Sequence, residues 1–302
     1  MNLPKQVEIS EVGPRDGFQN ISEWIPTEKK LAIIDQLAAC GFKKIEVTAF
    51  VHPKAVPQMA DAREIITAVK EKHKDVVWMA LTPNLKGVTN AIEAGVDQVG
   101  YIISASDRHN FENTRQTIDQ SLEGLGAVVK VKGTTKIQLS IPTVFNCPWG
   151  GKVPAENVIK IIKYGLSAGV DDIGLADTVG SAHPLQVKEL LDILKVEFPD
   201  LNIVLHLHDT RGMAMAGIFA ALQAGVTRFE TSVGGLGGCP FAPGAAGNVA
   251  TEDLIHMLHG MGIQTGIDFD GVMKAAYLAQ EVLPVPVTSR MTSALACELH
   301  MK

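Results

Sequence analysis

The chain has 302 residues and a formal net charge of -6, with 46% hydrophobic and 20% charged residues. This composition is typical of a soluble globular protein with a large core, and it argues against a general nucleic-acid binder, which would need a basic face. The first ten residues form neither a signal core nor a transit segment. No stretch approaches the roughly 18 apolar residues of a membrane span. The four scattered cysteines contain no Cys-x-x-Cys pair and favour a reducing cytoplasm.

A weak internal repeat appears four times along the chain. In each copy a helical pattern ends in a small residue and a glycine, an apolar residue follows, and a short β-type run begins. The glycines are Gly41, Gly95, Gly169 and Gly225. Glycine takes the left-handed conformation that ends a helix, after which the chain can enter the next strand. The repeat therefore predicts helices and strands in alternation.

The hydrophobic pattern between these glycines predicts eight strands, in the segments 6–12, 43–49, 76–81, 98–104, 136–142, 171–177, 202–208 and 228–233. Helices are predicted in the segments 27–40, 58–72, 85–94, 111–132, 154–168, 184–197, 212–224 and 250–261, with a further helix near 270–282.

Eight alternating β/α units in about 260 residues predict an α/β fold, a (β/α)₈ TIM barrel. A doubly wound sheet would instead open on a glycine fingerprint after its first strand, and the segment 11–17 is not one. We expect a single catalytic barrel domain over residues 1–302, with 265–302 as a C-terminal helical extension.

Polar residues gather where the predicted strands end, and in such barrels the chemistry lies at that end. In chain order they are Arg15, Asp16, Gln19, Glu46, Ser106, Asp177, Thr178, His206, His208, Cys239 and Asn248. Acidic, imidazole and amide groups from distant parts of the sequence therefore converge on one rim.

His206 and His208 stand two residues apart on a predicted strand, so their imidazoles point to the same face. Together with Asp16 they form a two-histidine, one-carboxylate set, which leaves open positions for substrate oxygens and water. An amide ligand such as Asn248 favours octahedral Mn²⁺, Mg²⁺ or Fe²⁺ over a closed tetrahedral zinc site. The alternatives are a pair of hydrogen-bonded core histidines, and an Asp16 that only caps a helix or pairs with Arg15. Asp209 is expected to face away from the histidines.

Glu46 is a charged residue in an otherwise apolar strand. If it faces the barrel interior it must be paired, with Arg15 as the expected partner, and a buried pair at a strand end is a candidate site. The alternative is an interior ion pair with no catalytic part. Asp177 could be only a helix cap. Cys239 lies in a glycine-rich segment that could close over a substrate, or it is a small apolar filler.

Several stretches resemble the 3-hydroxy-3-methylglutaryl-CoA (HMG-CoA) lyases. EVGPRDGFQN at 11–20 resembles their opening motif, HLHDT at 206–210 also matches, and SVGGLGGCPFA at 232–242 with GNVAT at 247–251 resembles their active-site cysteine signature. The resemblance covers nearly the whole chain, and the cysteine signature is its most specific part. Related Claisen synthases and biotin-dependent carboxyltransferase domains share the barrel, but the synthases have a glutamate where this chain has Phe18.

The resemblance implies a lyase that cleaves HMG-CoA to acetyl-CoA and acetoacetate, a step of leucine breakdown. It implies Mg²⁺ or Mn²⁺ as cofactor, with Asp16, His206, His208 and Asn248 as ligands. Catalytic roles are expected for Arg15, Cys239, Glu46 and His206. Substrate contacts are expected for Arg15, Gln19, Ser106, Asp177 and Thr178.

The alternatives are a related acyl-CoA synthase or lyase of the same superfamily, and a carboxyltransferase barrel that works only with a biotinyl partner. We expect a small-molecule acyl-CoA substrate, no nucleic-acid or membrane partner, a homodimer or higher homo-oligomer, and a cytoplasmic location.

Overall fold

Eight parallel strands close into a barrel in the computed structural model, which describes residues 3–238 and 247–300, with side chains through residue 295. The strands are β1 (Glu8–Glu11), β2 (Lys44–Ala49), β3 (Val77–Thr82), β4 (Gln98–Ile102), β5 (Lys136–Ile141), β6 (Asn146–Cys147), β7 (Gly151–Lys152), β8 (Asp172–Asp177), β9 (Ile203–Leu207) and β10 (Arg228–Thr231). The order around the barrel is β1-β10-β9-β8-β5-β4-β3-β2, while β6 and β7 pair as a separate antiparallel hairpin.

Helices alternate with the barrel strands and continue after the last one. They are α1 (Thr27–Ala38), α2 (Ala62–Lys72), α3 (Leu85–Ala94), α4 (Asp107–Thr114), α5 (Ile118–Val131), α6 (Ala155–Ala168), α7 (Pro184–Glu197), α8 (Ala214–Ala224), α9 (Thr251–Gly260), α10 (Phe269–Val282) and α11 (Arg290–His300). The predicted (β/α)₈ barrel is confirmed, and each predicted strand overlaps an observed one. α10 matches the helix predicted near 270–282, and α11 lies in the segment predicted as a C-terminal helical extension. The β6–β7 hairpin was not predicted.

The single helix predicted over 111–132 is wrong, because the structure has two helices there. Arg115 takes a left-handed conformation, with φ of 58°, and its N–H bonds to the carbonyl of Phe111, which ends α4. Thr117 then starts α5 with a capping box, in which its hydroxyl accepts from the backbone N–H of Gln120 and the Gln120 side chain accepts from Thr117 N–H. The break was missed because residues 112–117 are all polar, so the hydrophobic pattern does not mark where one helix ends and the next begins.

The alternation of side chains along each strand separates two environments. Outward-facing residues such as Ile45, Val99 and Leu139 are fully buried in the apolar core. Inward-facing positions carry polar groups, and these meet across the barrel in layers. None of the helices in the described ranges has both the length and the apolar character that a membrane span requires.

Candidate active site

Arg15 lies in the short helical turn Gly13–Gly17 that follows β1, and carboxylates hold it from two sides. Its Nε donates to Oε2 of Glu46 at 2.5 Å, and its Nη1 donates to Oδ1 of Asp16. All three residues are buried. Burial alone would raise the pKa of Asp16, but the Arg15 guanidinium and the nearby histidines hold it well below its usual range. The pairing of Glu46 with Arg15 expected from the sequence is therefore present, and Asp16 is an anion.

His206 and His208 bring two imidazoles next to this carboxylate. Their ring centroids are 5.0 Å apart, which fits the expectation that they share one face. His208 Nε2 lies 3.8 Å from Asp16 Oδ2. One potential ligand atom from each of the three residues lies within 4.8 Å of the others, and all three are buried. This spacing suits a metal ion shared by two nitrogens and one oxygen.

Asn248 enters the site through a backbone bridge with His208. Its Nδ2 donates to Oδ2 of Asp16 at 2.6 Å and to the carbonyl of Leu236 at 3.0 Å, so two acceptors fix the orientation of the amide. Its Oδ1 and the Nδ1 of His208 are buried, and neither has a hydrogen-bond partner within 3–238 and 247–295. An unpaired buried polar atom costs about 1–3 kcal/mol. The site therefore fits a divalent ion that would take up a free amide oxygen.

Gly237 shows how closely the chain after β10 approaches these ligands. Its φ of 116° is a conformation that favours glycine, and a Cβ there would lie 2.6 Å from Asn248 Nδ2 and 3.4 Å from Asp16 Oδ2. The backbone can pass the ligands at this distance only without a side chain. Cys239, two residues further on, lies outside the described residues, so its role stays a prediction.

Three residues expected to contact substrate have protein partners. Gln19 Nε2 donates to Asp16 Oδ1 at 2.9 Å, which helps to orient that carboxylate. Thr178 Oγ1 accepts from a backbone N–H of the loop after β5 at 3.0 Å. Asp177 Oδ2 accepts from Ala182 N–H at 2.9 Å, while its Oδ1 is buried with no partner in the described part of the chain. Asp177, whose pKa is raised by burial, is thus the one of the three with a free buried acceptor.

Two other residues considered in the sequence analysis, Ser106 and Asp209, have their hydrogen-bond partners elsewhere. Ser106 begins α4, accepting from His109 N–H at 3.4 Å and donating to Cys147 Sγ at 3.0 Å. Neither of these hydrogen bonds involves the residues around Asp16. Asp209 accepts from the N–H of Ala214 at 2.9 Å near the start of α8, which agrees with its exclusion from the ligand set.

The structure also reveals buried carboxylates to which the sequence assigned no role. Glu230 contacts His206, with Oε2 3.1 Å from Nδ1. Glu11 accepts from the N–H groups of Gly13 and Val233 and from the hydroxyl of Thr251, and burial raises its pKa to about 7 despite these hydrogen bonds. The signal available in the sequence was weaker than for Glu46, because Glu11 and Glu230 lie in strands that contain other polar residues.

Comparison with known proteins places these residues in a family. A family model described as HMGL-like matches residues 6–278. The chain belongs to the HMGL-like family. It is 43% identical over 294 residues to a hydroxymethylglutaryl-CoA lyase of Bacillus subtilis, covering 96% of this chain and 97% of that protein.

Solved structures of the family agree closely with this one. The crystal structure of the Bacillus subtilis HMG-CoA lyase matches with a TM-score of 0.95 and 41% identity, over 98% of this chain and 100% of that chain. An HMG-CoA lyase from Acinetobacter baumannii, solved in complex with coenzyme A and 3-methylmalate, matches with a TM-score of 0.91 and 39% identity. This match covers 97% of this chain and 96% of that chain.

Proposed function

We propose that this protein is an HMG-CoA lyase, which cleaves 3-hydroxy-3-methylglutaryl-CoA to acetyl-CoA and acetoacetate. The observation that carries the proposal is the Arg15–Glu46 pair set directly beside the Asp16–His206–His208 group, in a member of the HMGL-like family. The chain is also 43% identical to a Bacillus subtilis protein named as such a lyase.

The reaction is a retro-Claisen cleavage with three chemical steps. The tertiary hydroxyl loses its proton, and its oxygen becomes the ketone oxygen of acetoacetate. The adjacent C–C bond breaks, and its electron pair enters the thioester enolate of acetyl-CoA. A proton is then delivered to the enolate carbon. The site must therefore hold the hydroxyl, accept its proton, and stabilise an oxyanion on the thioester.

Arg15 is the group that stabilises the enolate oxygen. Its Nε and Nη1 are engaged by Glu46 and Asp16, and among the described residues its other Nη group has no hydrogen-bond partner. A guanidinium stays charged through the reaction and presents a fixed fork of donors, which suits a developing oxyanion. Glu46 holds that fork in place, so that the free donors point in one direction.

Asp16, His206, His208 and Asn248 would hold Mg²⁺ or Mn²⁺. When bound, such an ion lowers the pKa of an alcohol that contacts it and fixes the geometry of neighbouring oxygens. Two observations support this assignment. Asn248 Oδ1 is buried with no hydrogen-bond partner among the described residues, and the lowered pKa of Asp16 favours its ionised carboxylate. Both side chains therefore offer the hard oxygen atoms that these ions prefer.

Two residues are candidates for the proton transfers. Cys239 belongs to the segment that resembles the family's cysteine signature, and we assign it proton transfer to the enolate carbon or from the hydroxyl. His206 is the other candidate base; burial would lower its pKa, but the Glu230 and Asp16 carboxylates raise it above the ordinary value. Gln19, Asp177 and Thr178 are assigned to the substrate's polar groups.

A Cys239→Ala variant separates these roles. It should retain its affinity for Mn²⁺ and for substrate but lose turnover, because the thiol is assigned to proton transfer and not to binding. Unchanged turnover would remove Cys239 from the mechanism and leave His206 as the proton carrier.

The test of the function is a product assay with HMG-CoA, with and without added Mg²⁺ or Mn²⁺. Acetoacetate and acetyl-CoA should form in equal amounts, chelation should abolish their formation, and added metal should restore it. Full activity after exhaustive chelation would contradict the metal assignment. Release of free CoA from acetyl-CoA and a 2-oxo acid would instead indicate a Claisen synthase, and a requirement for a biotinyl protein would indicate a carboxyltransferase.

Further assignments follow the same proposal. Ser106, at the start of α4, is assigned to the CoA portion, since the Acinetobacter baumannii relative was solved with coenzyme A. The catalytic domain is the barrel over 1–302 with its extension from 265, in a cytoplasmic homodimer or higher homo-oligomer. Light scattering on the purified chain tests the oligomeric state.

A further inference from the structure

We propose that Glu230 is a positioning residue that fixes the tautomer and orientation of His206, so that Nε2 of this ring faces the metal. The inference rests on the metal site of the proposed function. It concerns a residue that touches neither the substrate nor the ion, and acts through a ligand.

The register of the barrel places the two residues side by side. Glu230 on β10 is the direct backbone partner of His206 on β9, and Glu230 Oε2 lies 3.1 Å from His206 Nδ1. Both residues are buried, with exposed fractions of 9% and 7%. An ionised carboxylate can only accept hydrogen bonds, so Nδ1 must carry the hydrogen. In the neutral ring the lone pair then lies on Nε2, the atom left for a metal.

The carboxylate is itself held from its other side. Gln138 Nε2, on β5 across the barrel, donates to Glu230 Oε1 at 2.7 Å. Gly174 on β8 leaves the room for this contact, since a Cβ there would lie only 3.0 Å from Gln138 Nε2. The Glu230 carboxylate therefore cannot rotate away from His206 without breaking a second buried hydrogen bond.

His208 offers an internal comparison. Its Nδ1 is buried and has no hydrogen-bond partner in the described ranges. The two histidines thus occupy neighbouring positions in one site, but only His206 has a carboxylate on the nitrogen that faces away from the metal. A variant of Glu230 should therefore change the metal affinity through one histidine and not through the other.

The experiment is a set of Mn²⁺ titrations followed by electron paramagnetic resonance on the purified full-length protein. Glu230→Met and Glu230→Gln are each made in the wild type, in His206→Ala and in His208→Ala. Glu230→Met should weaken Mn²⁺ binding about 10- to 100-fold in the wild type. The loss should be as large in His208→Ala, and about threefold or less in His206→Ala, because the partner through which Glu230 acts is then missing.

Glu230→Gln is the gentler variant. Its amide oxygen can still accept from His206 Nδ1, and its amide nitrogen can donate to Gln138 Oε1, which is buried with no partner among the described residues. Its loss of affinity should therefore be smaller than that of Glu230→Met. Asp172→Asn, which removes a carboxylate at the other end of the barrel, should leave Mn²⁺ affinity unchanged.

An equal loss of affinity in all three backgrounds would overturn the inference, since Glu230 would then act on the whole site through charge or folding. Nitrogen-15 spectra of the histidine rings in metal-free protein give a second measurement, independent of affinity. His206 Nδ1 should be protonated in the wild type and lose this preference in Glu230→Met, and unchanged ring signals would equally overturn it. A wild type that binds no Mn²⁺ would instead contradict the metal site of the proposed function, with the ring spectra still testing the Glu230 contact.

Discussion

The two ends of the barrel interior both contain buried charges, but they satisfy them differently. At the amino end, Asp172 accepts from Arg228 Nη1 at 2.7 Å and from Gln98 Nε2 at 2.7 Å, and Lys44 Nζ lies 3.4 Å away. Glu8 adds a longer contact with the Arg228 guanidinium, at 3.8 Å. Two cations and two carboxylates meet there, and none of their side-chain atoms is among the buried unpaired atoms of the described chain.

At the carboxyl end, the same types of charged residue leave an excess of carboxylates over guanidinium groups. One guanidinium, that of Arg15, lies among three buried carboxylates, those of Asp16, Glu46 and Glu230. Unpaired buried atoms occur beside them, including Asn248 Oδ1. Excess negative charge with free acceptors is unfavourable in a buried site unless a cation or substrate completes it.

The two ends differ in whether buried polar atoms lack hydrogen-bond partners among the described residues. The amino end, where none of the cluster's atoms do, is a structural ion cluster, and the carboxyl end, where several do, is a candidate site. Charge alone does not distinguish the two ends, because both are rich in charged groups. A closed cluster should therefore respond to mutation mainly in stability, and an open one mainly in binding and turnover.

The largest difference is expected between the two arginines inside the barrel, Arg15 and Arg228. Arg15→Met should lower kcat by about 10² to 10³, because it removes the donors assigned to the enolate oxygen. Arg228→Met should lower the melting temperature and leave kcat within about twofold, because this arginine pairs only with carboxylates at the amino end. Steady-state assays and thermal unfolding of both variants measure the contrast. Equal losses of kcat would mean that the two ends do not differ in function.

Two aspartates provide the next comparison. Asp16→Asn should weaken Mn²⁺ binding about 100-fold, since it removes the charged ligand, while Arg15 keeps its pair with Glu46. Asp172→Asn should leave Mn²⁺ affinity unchanged and reduce the free energy of unfolding, because it leaves Arg228 and Lys44 without their shared partner. Calorimetric titration with Mn²⁺ and urea unfolding measure the two quantities. Retained Mn²⁺ affinity in Asp16→Asn would exclude Asp16 as a ligand.

Asn248→Leu should have a smaller effect at the same end. The substitution keeps the approximate volume but removes Oδ1 and the donor that holds Asp16 Oδ2. We expect about a tenfold loss of Mn²⁺ affinity, because a neutral amide ligand contributes less than a charged one. The same titration measures it, with Gln264→Leu, a polar-to-apolar change away from the site, as the control. An affinity equal to that of the wild type would exclude Asn248 as a ligand.

Much of the fold and of the site could be predicted, because these features follow from rules that apply to short stretches of sequence. The barrel followed from glycines that end helices, and all four have positive φ in the structure. His206 and His208 followed from the two-residue period of a strand, and the Glu46 pairing from the cost of an unpaired buried charge.

What could not be predicted depends on contacts between distant strands. Glu230 meets His206 only because β9 and β10 are neighbours in a particular register, and its second partner Gln138 reaches it across the barrel. Gln19 was expected to contact substrate, but its orientation toward Asp16 depends on the turn after β1. Side-chain direction inside a closed barrel follows from strand stagger, which the hydrophobic pattern does not contain.

The smallest expected effect is a pH dependence confined to the amino end. Burial would raise the pKa of Asp172, but Arg228 and Lys44 oppose it, and the net pKa is about 2, below the value of 3.8 for an unperturbed aspartate. A depressed pKa in the folded state contributes stability that is present above 3.8 and lost as the pH falls toward 2. The contribution is about 1 kcal/mol once solvent screening of this partly exposed cluster is considered.

Urea unfolding from about pH 6 to about pH 3 measures this contribution. The free energy of unfolding should fall more steeply with acid in the wild type than in Asp172→Asn, in which the titrating group is absent. Asp200→Asn, at an exposed position on the surface, serves as the matched control and should follow the wild type. Parallel curves for the wild type and Asp172→Asn would mean that ionisation of the Asp172 carboxylate adds no stability to the folded state.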